Sequence, residues 1–257
     1  MNKSKYLSMA ILMAFSFLFA LSCDDKETTE EIIAEEETLL TDGEKQLLHQ
    51  TPEFVGSSFF EQEQQTMAAI KAATTEETVD GWRIQKDGRG VVTQVVFEDI
   101  TLQQPPTDGQ AYLTRFFGQE AAAQFVKTDG NEEMEVYTQK YGEYEVAQYG
   151  FWYDEQGVMQ KAKGTYYPIE GLNLEPTIRP YAARMILASY LGQSVKGIYE
   201  TPHLEIMMKP DGTQWIPTLV YYVSTKSNNA DTVSHGEATV ATVNAHTGRL
   251  IFVEHIM

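Results

Sequence analysis

Basic residues, cysteines and paired histidines are scarce in this sequence. Its 257 residues include 19 Lys and Arg against 37 Asp and Glu, and the formal charge of −18 makes nucleic acid an unfavourable partner. The single cysteine, Cys23, excludes an intramolecular disulfide and a cysteine-based metal cluster. No two of the five histidines are four positions apart, so a helical His-Glu-x-x-His zinc site cannot form. A Gly-x-Ser-x-Gly nucleophile turn is also missing. We therefore predict a protein that is not an enzyme and that needs no metal or cofactor.

The N-terminus carries an export signal. Lys3 and Lys5 precede an uncharged, mostly apolar run from Tyr6 to Leu21, which is short for a membrane-spanning helix of about 20 apolar residues. The stretch ALSC, which ends at Cys23, resembles the lipobox of bacterial lipoproteins, although Ala20 stands where Leu is usual. The resemblance implies that residues 1–22 are a signal peptide and that Cys23 is lipidated. The alternative is an ordinary signal peptide followed by a chance cysteine.

The segment after the signal is strongly acidic. From Asp24 to Glu44 there are ten acidic residues and one lysine, a density that extends a chain by repulsion. We therefore predict a flexible tether over residues 23–50. The stretch DDKETTEE resembles the export tag of surface lipoproteins in some Gram-negative bacteria. That resemblance implies an outer-membrane lipoprotein that is exposed on the cell surface and contacts the membrane through its lipid.

The remaining chain alternates between strand and helix patterns. VVTQVVF is rich in β-branched residues, and turns such as YGEY and DEQG separate alternating runs. Between Ile178 and Leu191 apolar residues recur at helical spacing, with Pro180 in the first turn and Gly192 after the last. These patterns predict an α+β fold in which a few helices pack on antiparallel sheets.

Two stretches, in order, carry a resemblance to one family. QKYGEYEVAQYGFWYDEQGVMQKAKGTYYP resembles the core of the fungalysin/thermolysin propeptide, the prosegment of thermolysin-type secreted metalloproteases. The residues that match its strands and turns are Gln139, Tyr141, Gly142, Val146, Asp154, Gly157, Val158, Gly164 and Tyr166.

The second stretch, ATVNAHTGRLI, resembles the end of the PepSY module. Asn244 stands where Asp is usual, which keeps a turn-capping side chain but loses its charge. The matching residues are Val240, Val243, Ala245, Thr247, Gly248 and Ile251. The resemblance covers roughly Trp82 to Ile256 and implies two similar-sized, cystatin/PepSY-like α+β subdomains. We place them at residues 51–172, propeptide-like, and 173–257, PepSY-like.

In that family the prosegment assists folding of a zinc protease domain and inhibits it until cleavage. Here the His-Glu-x-x-His motif is missing, and the chain ends about where the protease would begin. We therefore expect a non-catalytic protein that binds, inhibits or helps to fold a separate thermolysin-type metalloprotease. The expected contacts are made by strand addition or by a tail that enters the protease cleft. The tail residues are Glu254, His255, Ile256 and Met257. A frayed chain end is the alternative.

Two other interpretations stay open. In the first interpretation, the chain is a surface lipoprotein that uses the fold for envelope or ligand binding without a protease partner. Its expected binding face is the aromatic set Tyr137, Tyr149, Phe151 and Tyr153, which otherwise lines a sheet face with its hydroxyls at the rim. In the other, the gene is the decayed remnant of a protease.

Overall fold

The computed structural model describes residues 35–79, 82–88, 90, 92–97, 104–198, 201–212, 214–225 and 238–256. The predicted α+β class is confirmed, because two mainly antiparallel sheets carry a few packed helices. The helices are α1 (Asp42–Lys45), α2 (Ser57–Ala72), α3 (Gly109–Phe117), α4 (Gln119–Ala122), α5 (Pro180–Leu191) and a 3-10 turn (Val195–Gly197). The strands are β1 (Phe54–Val55), β2 (Thr75–Val79), β3 (Trp82–Lys86), β4 (Val92–Phe97), β5 (Phe125–Gly130), β6 (Met134–Tyr141), β7 (Tyr144–Tyr153), β8 (Met159–Gly164), β9 (His203–Asp211), β10 (Gln214–Ser224), β11 (Ala238–Asn244) and β12 (Leu250–Ile256).

The larger sheet has seven strands in the order β2-β3-β4-β8-β7-β6-β5, and every pairing is antiparallel. Strand alternation gives it one apolar face, which α3 and α4 cover. Tyr112 and Leu113 of α3 are fully buried there against Phe151 and Ala162 of the sheet. This face therefore forms the core of the seven-stranded half.

The smaller sheet has five strands in the order β1-β12-β11-β10-β9, and it is covered on both faces. Helix α5 packs on one face, where Ile186 and Leu187 are at most 1% exposed and share a cluster with Leu219 and Val253. Pro180 begins α5, and Gly192 ends it in the left-handed conformation with φ 63°, as its sequence predicts. Helix α2 covers the other face.

The predicted division at residue 172 is wrong for the N-terminal part of the body. Strand β1 pairs in parallel with β12, where Phe54 lies opposite Phe252. Phe59 of α2 packs on Phe252, with ring centroids 4.9 Å apart. Residues before β2 therefore belong to the five-stranded half, because a strand order in a sheet need not follow the order in the chain.

The predicted flexible tether is too long at its C-terminal end. Residues 35–50, the docked segment, lie against α5 and the turn that follows it. Leu40 and Leu48 are 5% and 9% exposed within the core of the five-stranded half. Glu36 accepts hydrogen bonds from Ser194 Oγ at 2.6 Å and from the Val195 N–H at 2.8 Å. The acidic composition that predicted repulsion instead supplies acceptors for buried donors.

Glu44 attaches the docked segment to Arg179 through a two-point ion pair. Its Oε1 accepts from Arg179 Nε at 2.9 Å and its Oε2 from Arg179 Nη2 at 2.5 Å. The N–H and hydroxyl of Thr41 also donate to Oε2, at 2.9 and 3.0 Å, in a capping box at the start of α1. The Arg179 guanidinium is the main reason that the pKa of Glu44 falls from its usual 4.5 to about 2.

Candidate functional site

Two residues that match the prosegment motif stabilise the fold. Gln139 is fully buried, and its side-chain amide clamps Tyr167 by donating to the carbonyl at 2.7 Å and accepting from the N–H at 3.0 Å. A Cβ on Gly164 would lie 2.5 Å from the Gln148 carbonyl oxygen and 2.6 Å from Tyr149 Cα. These two positions hold the strand pairing and carry no exposed chemistry.

The two matched turns are stabilised in the same local way. Asp154 accepts from the N–H groups of Gln156 and Val158 at 3.0 and 2.8 Å, and Gly157 follows with φ 75°. Asn244 accepts from the N–H groups of His246 and Thr247 at 2.9 and 2.8 Å. The side-chain amide oxygen of Asn244 therefore caps this turn.

Strand β12 presents an open edge at its C-terminal end. On its inner side it pairs with β11 as far as Ile256, which lies opposite Ala238. On its outer side, among the described residues, it pairs with the two residues of β1, and the last hydrogen bond there runs from the Gly56 N–H to the Val253 carbonyl at 2.9 Å. Because strand residues alternate, the N–H and C=O of His255 point to the same outer side as those of Val253. Among the residues that the structure describes, none pairs with that side beyond Val253.

Exposed apolar side chains border this edge. Val55, Phe60 and Ile256 are 45%, 42% and 44% exposed. Phe60 lies over Phe252 with ring centroids 6.0 Å apart, and Ile256 follows on the same face of β12, about 13 Å along the strand. We call Val55, Phe60 and residues 254–256 the β12 edge. It combines free backbone groups with apolar contacts, which is the combination that strand addition uses.

The structure places three of the four predicted tail residues in a strand. Glu254, His255 and Ile256 are ordered members of β12, and His255 Nδ1 lies 2.9 Å from Thr239 Oγ1 on the neighbouring strand. Met257 lies outside the described residues. These residues stay candidates for a partner contact only through the β12 edge.

The predicted aromatic binding face is wrong, because its residues form a core. Tyr149 and Phe151 are 0% exposed and Tyr137 is 7% exposed. Their rings pack at 5.1 to 5.6 Å against Tyr112 of α3 or against each other. The sequence pattern identified residues on one side of β6 and β7, but α3 covers that side.

The fourth predicted residue, Tyr153, is half-buried and already bonded. Its hydroxyl donates to Glu135 Oε2 at 2.5 Å, and the same carboxylate accepts from the Gly109 N–H at the start of α3 and from Lys127 Nζ. Burial, followed by the hydrogen bond to Glu135, raises the pKa of Tyr153 well above 10. Glu135 thus ties the start of α3 to the sheet, and the Tyr153 hydroxyl is engaged in the same cluster.

A groove that the sequence did not predict runs between α2 and the β9–β10 hairpin. Its volume is about 310 Å³. Met67, which is 57% exposed, and Ile70 line one wall, and Met208 and Trp215 line the other. The groove depends on contact between distant segments, so no local pattern signalled it.

The predicted lipidation residue Cys23 and residues 23–34 of the predicted tether lie outside the described residues. Within the described ranges, no helix is long and apolar enough to cross a membrane. No three His, Cys, Asp or Glu side chains of that part of the chain are arranged to hold a metal ion.

No protein-family model matches this chain. No curated protein matches it either. Among solved structures, the C-terminal domain of YpeB from Bacillus megaterium is similar over 77% of this chain and 97% of that domain, with 13% identity and a TM-score of 0.30. A likeness at that score carries no conclusion about this chain's activity or partners.

Proposed function

We propose that this chain is a non-catalytic, lipid-anchored protein that binds a secreted thermolysin-type zinc metalloprotease in trans and inhibits it or assists its folding. The observation that carries the proposal is the β12 edge at the end of the PepSY-like stretch, an ordered strand whose outer side beyond Val253 pairs with none of the described residues. Its supports from sequence are the two motif stretches in order and the missing His-Glu-x-x-His.

Strand addition gives this proposal a physical mechanism. A partner strand beside β12 would continue the sheet where β1 stops, and it would take up the outward N–H and C=O of His255. Phe60 and Ile256 would lose exposed apolar area in the same contact. A strand in a protease cleft is held in an extended conformation, so an inhibitor that binds by this edge would compete with extended substrates.

Two variants of His255 separate the backbone contribution from the side chain. His255→Pro removes an N–H that points away from β11, a position where an edge strand tolerates proline. His255→Ala removes only the imidazole. We expect the proline variant of the full chain to lose at least tenfold in inhibition or in refolding yield of a thermolysin-like enzyme from the same cell, while the alanine variant keeps both. Tenfold corresponds to about 1.4 kcal/mol of binding free energy.

Two results would contradict this proposal. If the unaltered chain at micromolar concentration neither slows nor refolds any such enzyme, the chain is not a protease partner. If it acts but both His255 variants act as well, the β12 edge is not the contact.

The lipid anchor has its own test. Growth with a radiolabelled fatty acid should label the unaltered chain and leave Cys23→Ser unlabelled, because the chain has no other cysteine. Cell-surface proteolysis then distinguishes outward display from burial in the periplasm. Labelling of the serine variant would contradict lipidation at Cys23.

A further inference from the structure

The second face of the seven-stranded sheet exposes polar side chains in the middle of β7 and β8, within the described part of the chain. Helices α3 and α4 pack on the opposite face, where Phe151 and Ala162 are buried. Strand alternation turns the neighbours of those residues the other way. On this side Gln148, Lys161 and Lys163 are exposed, and Trp152 and Gly150 are half-buried. We call these five residues the lysine–tryptophan face.

Trp152 lies flat across this face. A Cβ on Gly150 would come within 2.7 Å of the indole Cη2 and within 3.2 and 3.3 Å of two further ring carbons. The missing side chain at Gly150 thus lets the ring rest on the sheet backbone. Lys161, which is the cross-strand neighbour of Trp152, holds its ammonium 5.1 Å from the ring centroid. The ring is a level platform and not a wedge in a core.

Two lysines give the platform a positive charge in a strongly acidic chain. Lys163 pairs with Gly150 across the β7–β8 ladder, so its side chain leaves the sheet on the same face as the indole, one row away from Lys161. Within the described residues, neither forms an ion pair. In the row of Lys163 the acidic side chains are Glu76 and Asp129, each three strands away, or about 14 Å. By strand register, Lys161 and Lys163 are therefore the charged side chains nearest to the indole in the rows through Trp152 and Gly150, in a chain of charge −18.

We propose that the lysine–tryptophan face binds an acidic polysaccharide whose sugars carry carboxylates. The face of an indole ring is electron-rich and attracts the polarised C–H groups of a pyranose that stacks on it. Lys161 and Lys163 pair with the carboxylates, and the exposed amide of Gln148 is a hydrogen-bonding partner for sugar hydroxyls. This site is on a different sheet from the β12 edge, so it does not depend on the protease proposal.

The flat shape favours a sugar chain over an acidic peptide. A peptide gains specificity from pockets for alternate side chains or from strand addition at a sheet edge. The lysine–tryptophan face has neither, because it lies on the interior strands β7 and β8, whose backbone groups are paired on both sides. The flat indole of Trp152 with lysines beside it fits a stacked sugar ring that carries a carboxylate better than it fits an acidic peptide.

The test uses calorimetric titration of the full chain in detergent with three polymers of matched length. These are oligogalacturonate, its methyl ester, which is the same sugar chain without charge, and polyglutamate, which has the charge without the sugar. We expect oligogalacturonate to bind at least tenfold more tightly than either control polymer. We also expect Trp152→Ala and the double variant Lys161→Gln, Lys163→Gln each to weaken it about tenfold or more.

Matched variants control for a change in net charge and for unfolding of the Trp152→Ala variant. The double variant Lys45→Gln, Lys196→Gln makes the same charge change at two exposed lysines elsewhere and should bind as the unaltered chain does. Trp152→Phe keeps a smaller ring and should bind with intermediate strength, which keeps the test valid if Trp152→Ala unfolds. Absence of oligogalacturonate binding overturns the proposal. Equal binding of polyglutamate, or an unchanged affinity in both Trp152 variants, does so too.

Discussion

Neutralising Glu44 should loosen the docked segment from α5. Glu44→Gln keeps the size of the side chain but replaces the carboxylate that accepts hydrogen bonds from Arg179 and Thr41 with a neutral amide. Its amide nitrogen would also face one of these donors, so at least one hydrogen bond is lost. We expect the effect to be local, because Leu40 and Leu48 still hold the segment to the core.

The pKa of Glu44 gives the size of the effect. A fall from 4.5 to about 2 corresponds to a ceiling of roughly 3 kcal/mol, at about 1.4 kcal/mol for each pH unit. The Glu44 side chain is 9% exposed, but that of Arg179 is 51% exposed, so solvent screens the pair. We therefore expect Glu44→Gln to cost about 1–2 kcal/mol at neutral pH.

The pH dependence has a definite sign. Because the folded pKa of Glu44 is depressed, its stabilisation is complete above pH 4.5 and is lost as the pH falls towards 2. The difference between the unaltered chain and Glu44→Gln should therefore shrink over that interval. Hydrogen exchange of residues 35–50 measures it directly, since local opening precedes global unfolding.

Glu35→Gln is the matched control, because it removes one negative charge from an exposed residue of the same segment. Exchange in the control should stay within experimental error of the unaltered chain. Equal acceleration in both variants would mean that general repulsion, and not the contact with Arg179, governs the segment. A difference that persists unchanged below pH 3 would refute the assignment of the shift to Glu44.

Three further predictions concern the seven-stranded half of the fold. Gly164→Ala should lower the free energy of unfolding by about 1–3 kcal/mol because its Cβ meets backbone atoms, whereas Gly43→Ala, with nothing within 4 Å, should be neutral or stabilising in a denaturant titration. Phe151→Ala should cost about 3–5 kcal/mol in the same assay, and a loss under 1 kcal/mol would contradict its burial. Burial also raises the pKa of Tyr149. The neutral phenol therefore contributes to the free energy of unfolding below pH 10, and this contribution is lost as the pH rises further. Ultraviolet titration should show one fewer late-ionising phenol in Tyr149→Phe, and no difference would exclude this burial effect.

Local patterns predicted the elements well. Pro180 and Gly192 marked α5, and the alternation in β6 and β7 marked the longest hairpin of the seven-stranded sheet. These signals succeed because capping, turns and alternation depend on neighbours in the chain. The same signals predicted the α+β class.

Which side of a strand is buried depends on distant segments, and there the sequence was insufficient. Alternation put Tyr149 and Phe151 on one side of β7 and Trp152 on the other, but only the position of α3 decides which side meets solvent. The prediction that residues 35–50 are flexible failed for a similar reason, because Glu44 and its partner Arg179 are 135 positions apart in the chain. The open edge of β12 likewise depends on β1, which is more than 190 residues away in the chain and only two residues long.

The docked segment limits how far the body can stand from a membrane. If Cys23 is the anchor, only twelve peptide steps separate it from Glu35, where the described structure begins. Fully extended, they reach about 40 Å, whereas a free tether as far as residue 50 would reach about 95 Å. A partner much thicker than 40 Å could not pass beneath the body. It would have to approach from the side, and its own position relative to the lipid surface would decide whether it meets the β12 edge.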